Sequence, residues 1–317
     1  MERFIGVVGL GYWGKNILRN FYELGVIHTA CDFSQEVIEE RKKHYPDINY
    51  TTDFNELLNN PEIKAIAIAT PAITHYELAK KALLSGKDVF IEKPMTTSVR
   101  EGEELVKMAE EKNRIIMVGH ILQYHPGVVK LKELISQGSI GDILYIYSHR
   151  VNVGKIRTDE NVWWSLAPHD ISLTLMLTEA EPKKINYQGA SFITKGIDDI
   201  ALASIEFNNG IKGHIFVSWW HPYKEQKLVV IGSRGMLVFD DTTEEKLFLY
   251  PHKVDWNGSI PVAKKEDREI IPVERKEPLK EELLHFIECV RERKTPKTDG
   301  YEGLRVIKVL ERVTSEG

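Results

Sequence analysis

The chain has 317 residues, 42% of them hydrophobic and 28% charged, with a formal net charge of −5. That balance suits a soluble globular protein and supplies no electrostatic reason to bind nucleic acid or an anionic membrane. No run approaches the roughly twenty apolar residues of a membrane span, and two cysteines, Cys31 and Cys289, make neither a disulfide framework nor a metal cluster.

The opening "MERFIGVVGLGYWG" lacks an apolar signal region with a cleavage site, so a cytoplasmic protein is expected. Residues 3–8 read as a buried strand, and 12–24 carry apolar residues at helical spacing up to Gly25. "VIHTACD" is a second strand, followed by a charged helix to about His44 and a helix over 53–59. "AIAIAT" is the next strand, and "THYELAKKALLSG" a helix that Thr74 can cap and Gly86 can end. "DVFIE" and "IIMVGH" continue the strands on either side of a helix from about Ser98 to Lys112. Strands that are apolar throughout and alternate with helices specify a parallel sheet covered on both faces.

The pattern then changes. A helix over 127–138 leads to the alternating strand "DILYIYSHRVN" and a helix over 167–178. Several strands with short turns follow, with Asn208–Asn209–Gly210 as a hairpin between "IALASIEF" and "GIKGHIFVSWW". Helices over 279–293 and 301–313 end the chain. The expected fold is α/β: a doubly wound parallel sheet over 1–122, then an α+β domain over 123–317 with a large open, mostly antiparallel sheet. The helices at 167–178 and 279–293 are expected to cover one face of that second sheet, leaving Tyr145, Tyr147 and Phe216 for a homodimer or homotetramer contact.

Gly9-x-Gly11-x-x-Gly14 follows a strand and opens a helix, the context a dinucleotide-binding loop requires. Gly9 permits the tight turn, Gly11 the approach of a pyrophosphate, and Gly14 close helix–strand packing. The helix start offers free N–H groups to phosphate. Asp32 ends the second strand, where a carboxylate accepts the adenosine ribose hydroxyls and repels a 2′-phosphate. Phe33–Ser34 supplies no adjacent Arg, so NAD is expected rather than NADP. The alternative reading, a turn cluster and a capping Asp, meets fewer of these context requirements.

Ligands of open parallel sheets bind at the carboxyl ends of the strands. Thr70–Pro71, Glu92–Lys93–Pro94 and Gly119–His120 end three of them. The cofactor contacts expected from this arrangement are Gly9, Gly11, Tyr12, Trp13, Gly14, Asp32, Thr70, Pro71, His75, Glu92, Lys93 and His120. Pro94 restricts the Lys93 backbone to extended conformations, which aims its side chain. A solvated strand end is the bland alternative for Lys93, and its company at the strand ends argues against it.

"GVVGLGYWG", "ATPAITHYELAKKALLSGKDVFIEKPMTT" and "MVGHILQYHP" resemble the glucose–fructose oxidoreductase/inositol dehydrogenase (Gfo/Idh/MocA) family. The resemblance implies a Rossmann domain, an open-sheet second domain, and nicotinamide-dependent oxidation or reduction of sugars, cyclitols or nucleotide sugars. It implies that Lys93 contacts the reacting hydroxyl. The family's Asp, three residues, then His falls on "SLAPH", so His169 matches while Ser165 departs from the Asp. Asp170 beside it reads as a first-turn acid favoured by the helix dipole.

Arg150, Lys155 and Arg157 cluster just before this segment and suit an anionic substrate group. Tyr124 at the domain junction, Arg150, Arg157, Asn161, Ser165, His169 and Lys93 are the expected substrate contacts, with Lys93 and His169 catalytic and no metal site. The segment is similar to dehydrogenases acting at C3 of UDP-N-acetylated sugars. An NAD-dependent dehydrogenase of a sugar or nucleotide-sugar hydroxyl is the leading expectation. The alternatives are an NAD-dependent glycoside hydrolase working by transient C3 oxidation, and a catalytically silent dinucleotide sensor.

Overall fold

The computed structural model describes residues 2–315, with side chains described through residue 313. The chain divides into two compact units, Met1–Ile121 with Glu277–Lys308, and Leu122–Lys276 with Val309–Gly317.

The first unit alternates β1 (Ile5–Val8), α1 (Gly14–Glu23), β2 (Ile27–Cys31), α2 (Gln35–Lys42), β3 (Asn49–Thr51), α3 (Phe54–Asn59), β4 (Ala65–Ile68), α4 (His75–Leu84), β5 (Asp88–Glu92), α5 (Val99–Lys112) and β6 (Ile116–Gly119). The six strands form a parallel sheet in the order β3-β2-β1-β4-β5-β6. Every residue of β1, β4, β5 and β6 is buried, as strands covered on both faces require. Strand order reverses between β1 and β4, so the crevice beyond their carboxyl ends is the switch point where such sheets bind ligands. β3 was not expected from sequence. At three residues on the sheet edge it is too short to carry a periodic signal. Thr74 does not cap α4 with its side chain; its hydroxyl donates to the Pro71 carbonyl at 2.7 Å and pairs with the Thr70 hydroxyl at 2.6 Å.

The second unit contains α6 (Pro126–Ser136), β7 (Ile143–Val153), α7 (Val162–Thr178), β8 (Pro182–Ala190), β9 (Ile200–Phe207), β10 (Lys212–Ser218), β11 (Trp220–Gly232), β12 (Met236–Asp240), β13 (Leu247–Tyr250), β14 (Lys253–Asn257), β15 (Ile260–Lys264) and β16 (Glu269–Ile271). Eight strands form one sheet in the order β16-β13-β12-β11-β7-β10-β9-β8, while β14 and β15 pair as a separate hairpin. The pairs are antiparallel except β7 with β10. α7 packs on β7, β9 and β10 and is buried almost all round. On the sheet's other face the register lines up Lys212 with Tyr145, His214 with Tyr147, and Phe216 with His149. Tyr147 and His214 stack at 4.9 Å with rings 5° apart.

α7 begins earlier than periodicity indicates. Pro168 lies inside it and disguises its first turns, whereas the start is set by Asn161, whose side chain accepts the Trp164 N–H at 3.0 Å.

α8 (Pro278–Glu292) corrects a second expectation. It belongs to the first unit, where it packs on α1. Phe286 meets Phe90 of β5 edge-on at 5.7 Å, and the Asn20 side chain donates to Glu277 at 3.1 Å. An amphipathic stripe says that a helix docks, not on which sheet. α9 (Gly300–Ser315) follows it.

Candidate active site

The first unit holds a preformed dinucleotide cradle. Gly9 has φ +88°, and a Cβ there would meet the Ala69 backbone at 2.8 Å. A Cβ on Gly14 would lie 1.8 Å from the Gly9 carbonyl oxygen, so the close turn of loop on helix admits only glycine there. One on Gly11 would stand in open space, which leaves room for a pyrophosphate. α1, with Trp13 at its N-cap, has no side-chain cap and no acid in its first turn, and its Lys15 and Asn16 N–H groups bond the Gly11 and Trp13 carbonyls at 3.2 and 2.8 Å. Asp32 is buried at the end of β2 and is oriented by two backbone donors, Leu10 N–H to Oδ2 at 2.7 Å and Ser34 N–H to Oδ1 at 3.0 Å. Carboxylate lone pairs remain beyond these for ribose hydroxyls. Tyr12 is exposed on the loop. These features fit a nicotinamide dinucleotide.

Beside the cradle, the Trp13 indole donates to Glu92 Oε1 at 2.6 Å, which ties the start of α1 to the end of β5. Glu92 is 9% exposed, and burial pushes its carboxyl up to about 7 against the opposing pull of Trp13 and Lys93. Its Oε2 accepts the backbone N–H of half-buried Lys93 at 3.3 Å. The Lys93–Pro94 peptide is cis.

His75 is 1% exposed, with Nδ1 2.8 Å from the Pro94 carbonyl oxygen and Nε2 2.9 Å from that of Thr70. Both nitrogens therefore face backbone carbonyls. His120 is likewise buried and pairs with Glu302 of α9. Thr70 and Pro71 hold the turn after β4 through Thr74.

In the second unit, Arg150 of β7 meets the buried Asp170 of α7 through Nε at 2.7 Å and Nη2 at 3.2 Å. Asp170 lies in the helix interior, not its first turn, and its role is to hold Arg150. Arg157 pairs with Glu160 at 2.9 Å, and Lys155 is exposed. Asn161 caps α7 through its side-chain oxygen. Ser165 and His169 lie four residues apart on α7 and so share a helix face, Ser165 buried and His169 half-buried. Tyr124 is buried.

Three participants escape sequence reading. Arg41 of α2 turns inward and donates to the Leu10 carbonyl at 3.2 Å. Glu302 is seen only once α9 returns to β6. Glu282 is fully buried on α8, neither carboxyl oxygen has a hydrogen-bond partner, and burial with nearby Glu92 and Glu302 raises its pKa well above the ordinary value. A glutamate four residues from Phe286, on the buried stripe of α8, is the signal for it. Among the described residues, no group of three or more His, Cys, Asp or Glu is arranged to hold a metal ion.

Comparison with known proteins agrees with this geometry. The model described as "Oxidoreductase family, NAD-binding Rossmann fold" matches residues 4–120, and that described as "GFO/IDH/MocA C-terminal domain" matches 128–238. The UDP-N-acetylglucosamine 3-dehydrogenase of Acidithiobacillus ferrooxidans is 27% identical over 315 residues, covering 95% of this chain and 93% of the relative. Its solved structure aligns with a TM-score of 0.87 at 25% identity, over 99% of this chain and 96% of that one. The scyllo-inositol 2-dehydrogenase (NAD(+)) of Bacillus subtilis is 29% identical over 258 residues, 78% of this chain and 73% of the relative.

Proposed function

As the chain belongs to the Gfo/Idh/MocA oxidoreductase family, we propose that it is an NAD-dependent dehydrogenase acting on a secondary hydroxyl of a sugar or nucleotide sugar. C3 of a UDP-N-acetylated sugar is the substrate position we favour, a reading supported by the name and coverage of the Acidithiobacillus relative. The observation that carries the proposal is the Trp13–Glu92 hydrogen bond. It joins the dinucleotide loop to Glu92, the neighbour of Lys93 at the carboxyl end of β5.

Bound NAD supplies the hydride acceptor. Lys93 takes the hydroxyl proton as the substrate C–H bond is broken, and His169 shares the holding of that hydroxyl. Asp32 receives the adenosine ribose, and the uncapped start of α1 the pyrophosphate. For an anionic substrate group, Arg157 and Lys155 are accessible, whereas Arg150 serves through its grip on Asp170. We assign the enzyme to the cytoplasm, and among the described residues no helix is long and apolar enough to cross a membrane.

The test is a screen of UDP-N-acetylated sugars, other nucleotide sugars and simple sugars with NAD, followed by NADH absorbance. Oxidation of none of them at pH 7–9 sinks the proposal. Release of an aglycone without net NADH points instead to hydrolysis by transient oxidation.

We also assign the open face carrying Tyr145, Tyr147, His214 and Phe216 to a homodimer or homotetramer contact. Tyr147→Glu should dissociate it, and a wild-type monomer by light scattering at micromolar concentration refutes the assignment.

A further inference from the structure

Cations in the last turn of a surface helix usually extend into water, as Lys42 does with 41% of its side chain exposed. Arg41, its neighbour in α2, does the opposite. Its side chain is only 12% exposed and folds over the glycine loop, with Nε donating to the Leu10 carbonyl at 3.2 Å and Nη1 meeting Glu40 at 2.9 Å.

The other end of the same residue is also held: the Leu10 N–H donates to Asp32 Oδ2 at 2.7 Å. Leu10 lies between Gly9 and Gly11, so one loop residue is pinned by a carboxylate on its N–H and a guanidinium on its C=O. The acid expected to read the adenosine ribose therefore has a cation close by. That cation comes from nine positions along the chain, on the far side of the Ser34-capped turn that starts α2.

The two groups favour opposite ligands. A carboxylate accepts hydrogen bonds from the 2′- and 3′-hydroxyls and repels a 2′-phosphate, whereas a guanidinium attracts that phosphate. A guanidinium has five N–H donors, and the Leu10 and Glu40 contacts occupy two nitrogens, leaving Nη2 outside both.

We propose that Arg41 is a second specificity-determining residue at the adenosine end of the coenzyme site, opposing Asp32, so that the preference for NAD is a balance of two charges. This deepens the reading of the first unit as an NAD site and rests on it. Neutralising the acid releases the cation's preference, and removing the cation abolishes what was released.

The experiment is a double-mutant cycle read by calorimetry, with NAD and NADP as the probes and no substrate. Asp32→Asn should tighten NADP binding at least tenfold while weakening NAD. Arg41→Met in that background should take away most of the NADP gain, and Arg41→Lys, which keeps the charge, should retain part of it. Arg41→Met alone should loosen NADP more than NAD. Equal losses of both coenzymes on Arg41→Met, in either background, would make Arg41 a loop brace only and overturn the proposal. So would an NADP gain in Asp32→Asn that Arg41→Met leaves untouched. Failure of wild type to bind either dinucleotide instead defeats the coenzyme reading beneath it. Circular dichroism and melting of each variant separate lost binding from lost folding.

Discussion

Glu92 lies across Gly119: the two residues are paired in the β5–β6 ladder, and a Cβ on Gly119 would stand 3.0 Å from the Glu92 carboxyl carbon. The glycine leaves the space that lets the carboxyl fold over β6 and meet the Trp13 indole. Gly119→Ala should push the carboxyl aside, break the 2.6 Å bond to Trp13 and disturb the adjoining Lys93. Overpacking of this kind costs about 1–3 kcal/mol. On the proposed mechanism, misplacing the Lys93 amine lowers kcat by up to ~10²-fold. Melting temperature and kcat measured together decide it, and an unchanged kcat would mean that this contact does not position Lys93.

The same carboxyl makes stability depend on pH. Its pKa is raised by burial from 4.5 to about 7 in the folded protein. Below pH ~4.5 both folded and unfolded chains hold the proton. Between there and about 7 only the folded state keeps it, so stability falls as pH rises, and the fall ends once both states are ionised. The difference amounts to about 3 kcal/mol at most. Urea unfolding at pH 5 and pH 8 should show a smaller decline in Glu92→Gln than in wild type. Equal declines would remove Glu92 as the source. Glu282, raised in the same direction, adds its own decline as pH rises above the ordinary carboxylate range.

Arg150 and Asp170 present the cost of separating a buried pair. Their side chains are 11% and 2% exposed, and two hydrogen bonds join them. Removing one partner strands the other's charge, at about 3–5 kcal/mol. Arg150→Met and Asp170→Asn should each lower stability by that order, while substrate KM in any folded fraction changes little. A large rise in KM with unchanged stability would return Arg150 to direct substrate binding.

The parts of this molecule legible in its sequence are those encoded within a few residues. The glycine loop, the acid ending β2 and the apolar strands of the first sheet need only local spacing, and the structure has them where spacing indicates. What escaped depends on where the chain returns. Arg150 looks like a free cation until α7 brings Asp170 beneath it. Asn161 caps a helix whose proline hides its beginning. α8 carries a docking stripe with no address on it, so Glu282 could not be placed near Glu92 before the fold was known.

On the proposed mechanism, Ser165 sets the division of labour between the two candidate catalytic groups. An aspartate one helical turn before His169 would stabilise the imidazolium and fix the ring. Ser165 is buried and carries no charge, so it supplies a neutral hydrogen-bonding group in that place. On the proposed mechanism, Lys93 then carries the larger share of the proton transfer and His169 the smaller. General acid–base groups contribute about 10²–10⁴-fold. Lys93→Met should therefore lower kcat toward the upper end of that range and His169→Ala by less, with NAD affinity retained in both. Ser165→Asp should raise the basicity of His169 and move the acid limb of the kcat profile to higher pH, a shift that His169→Ala in the same background abolishes. Single-turnover hydride transfer at saturating substrate, followed across pH 6–10, reads all four variants beside wild type. Near-wild-type rates in Lys93→Met beside an inactive His169→Ala would reverse the roles, and an unmoved profile in Ser165→Asp would show that position 165 does not govern the imidazole.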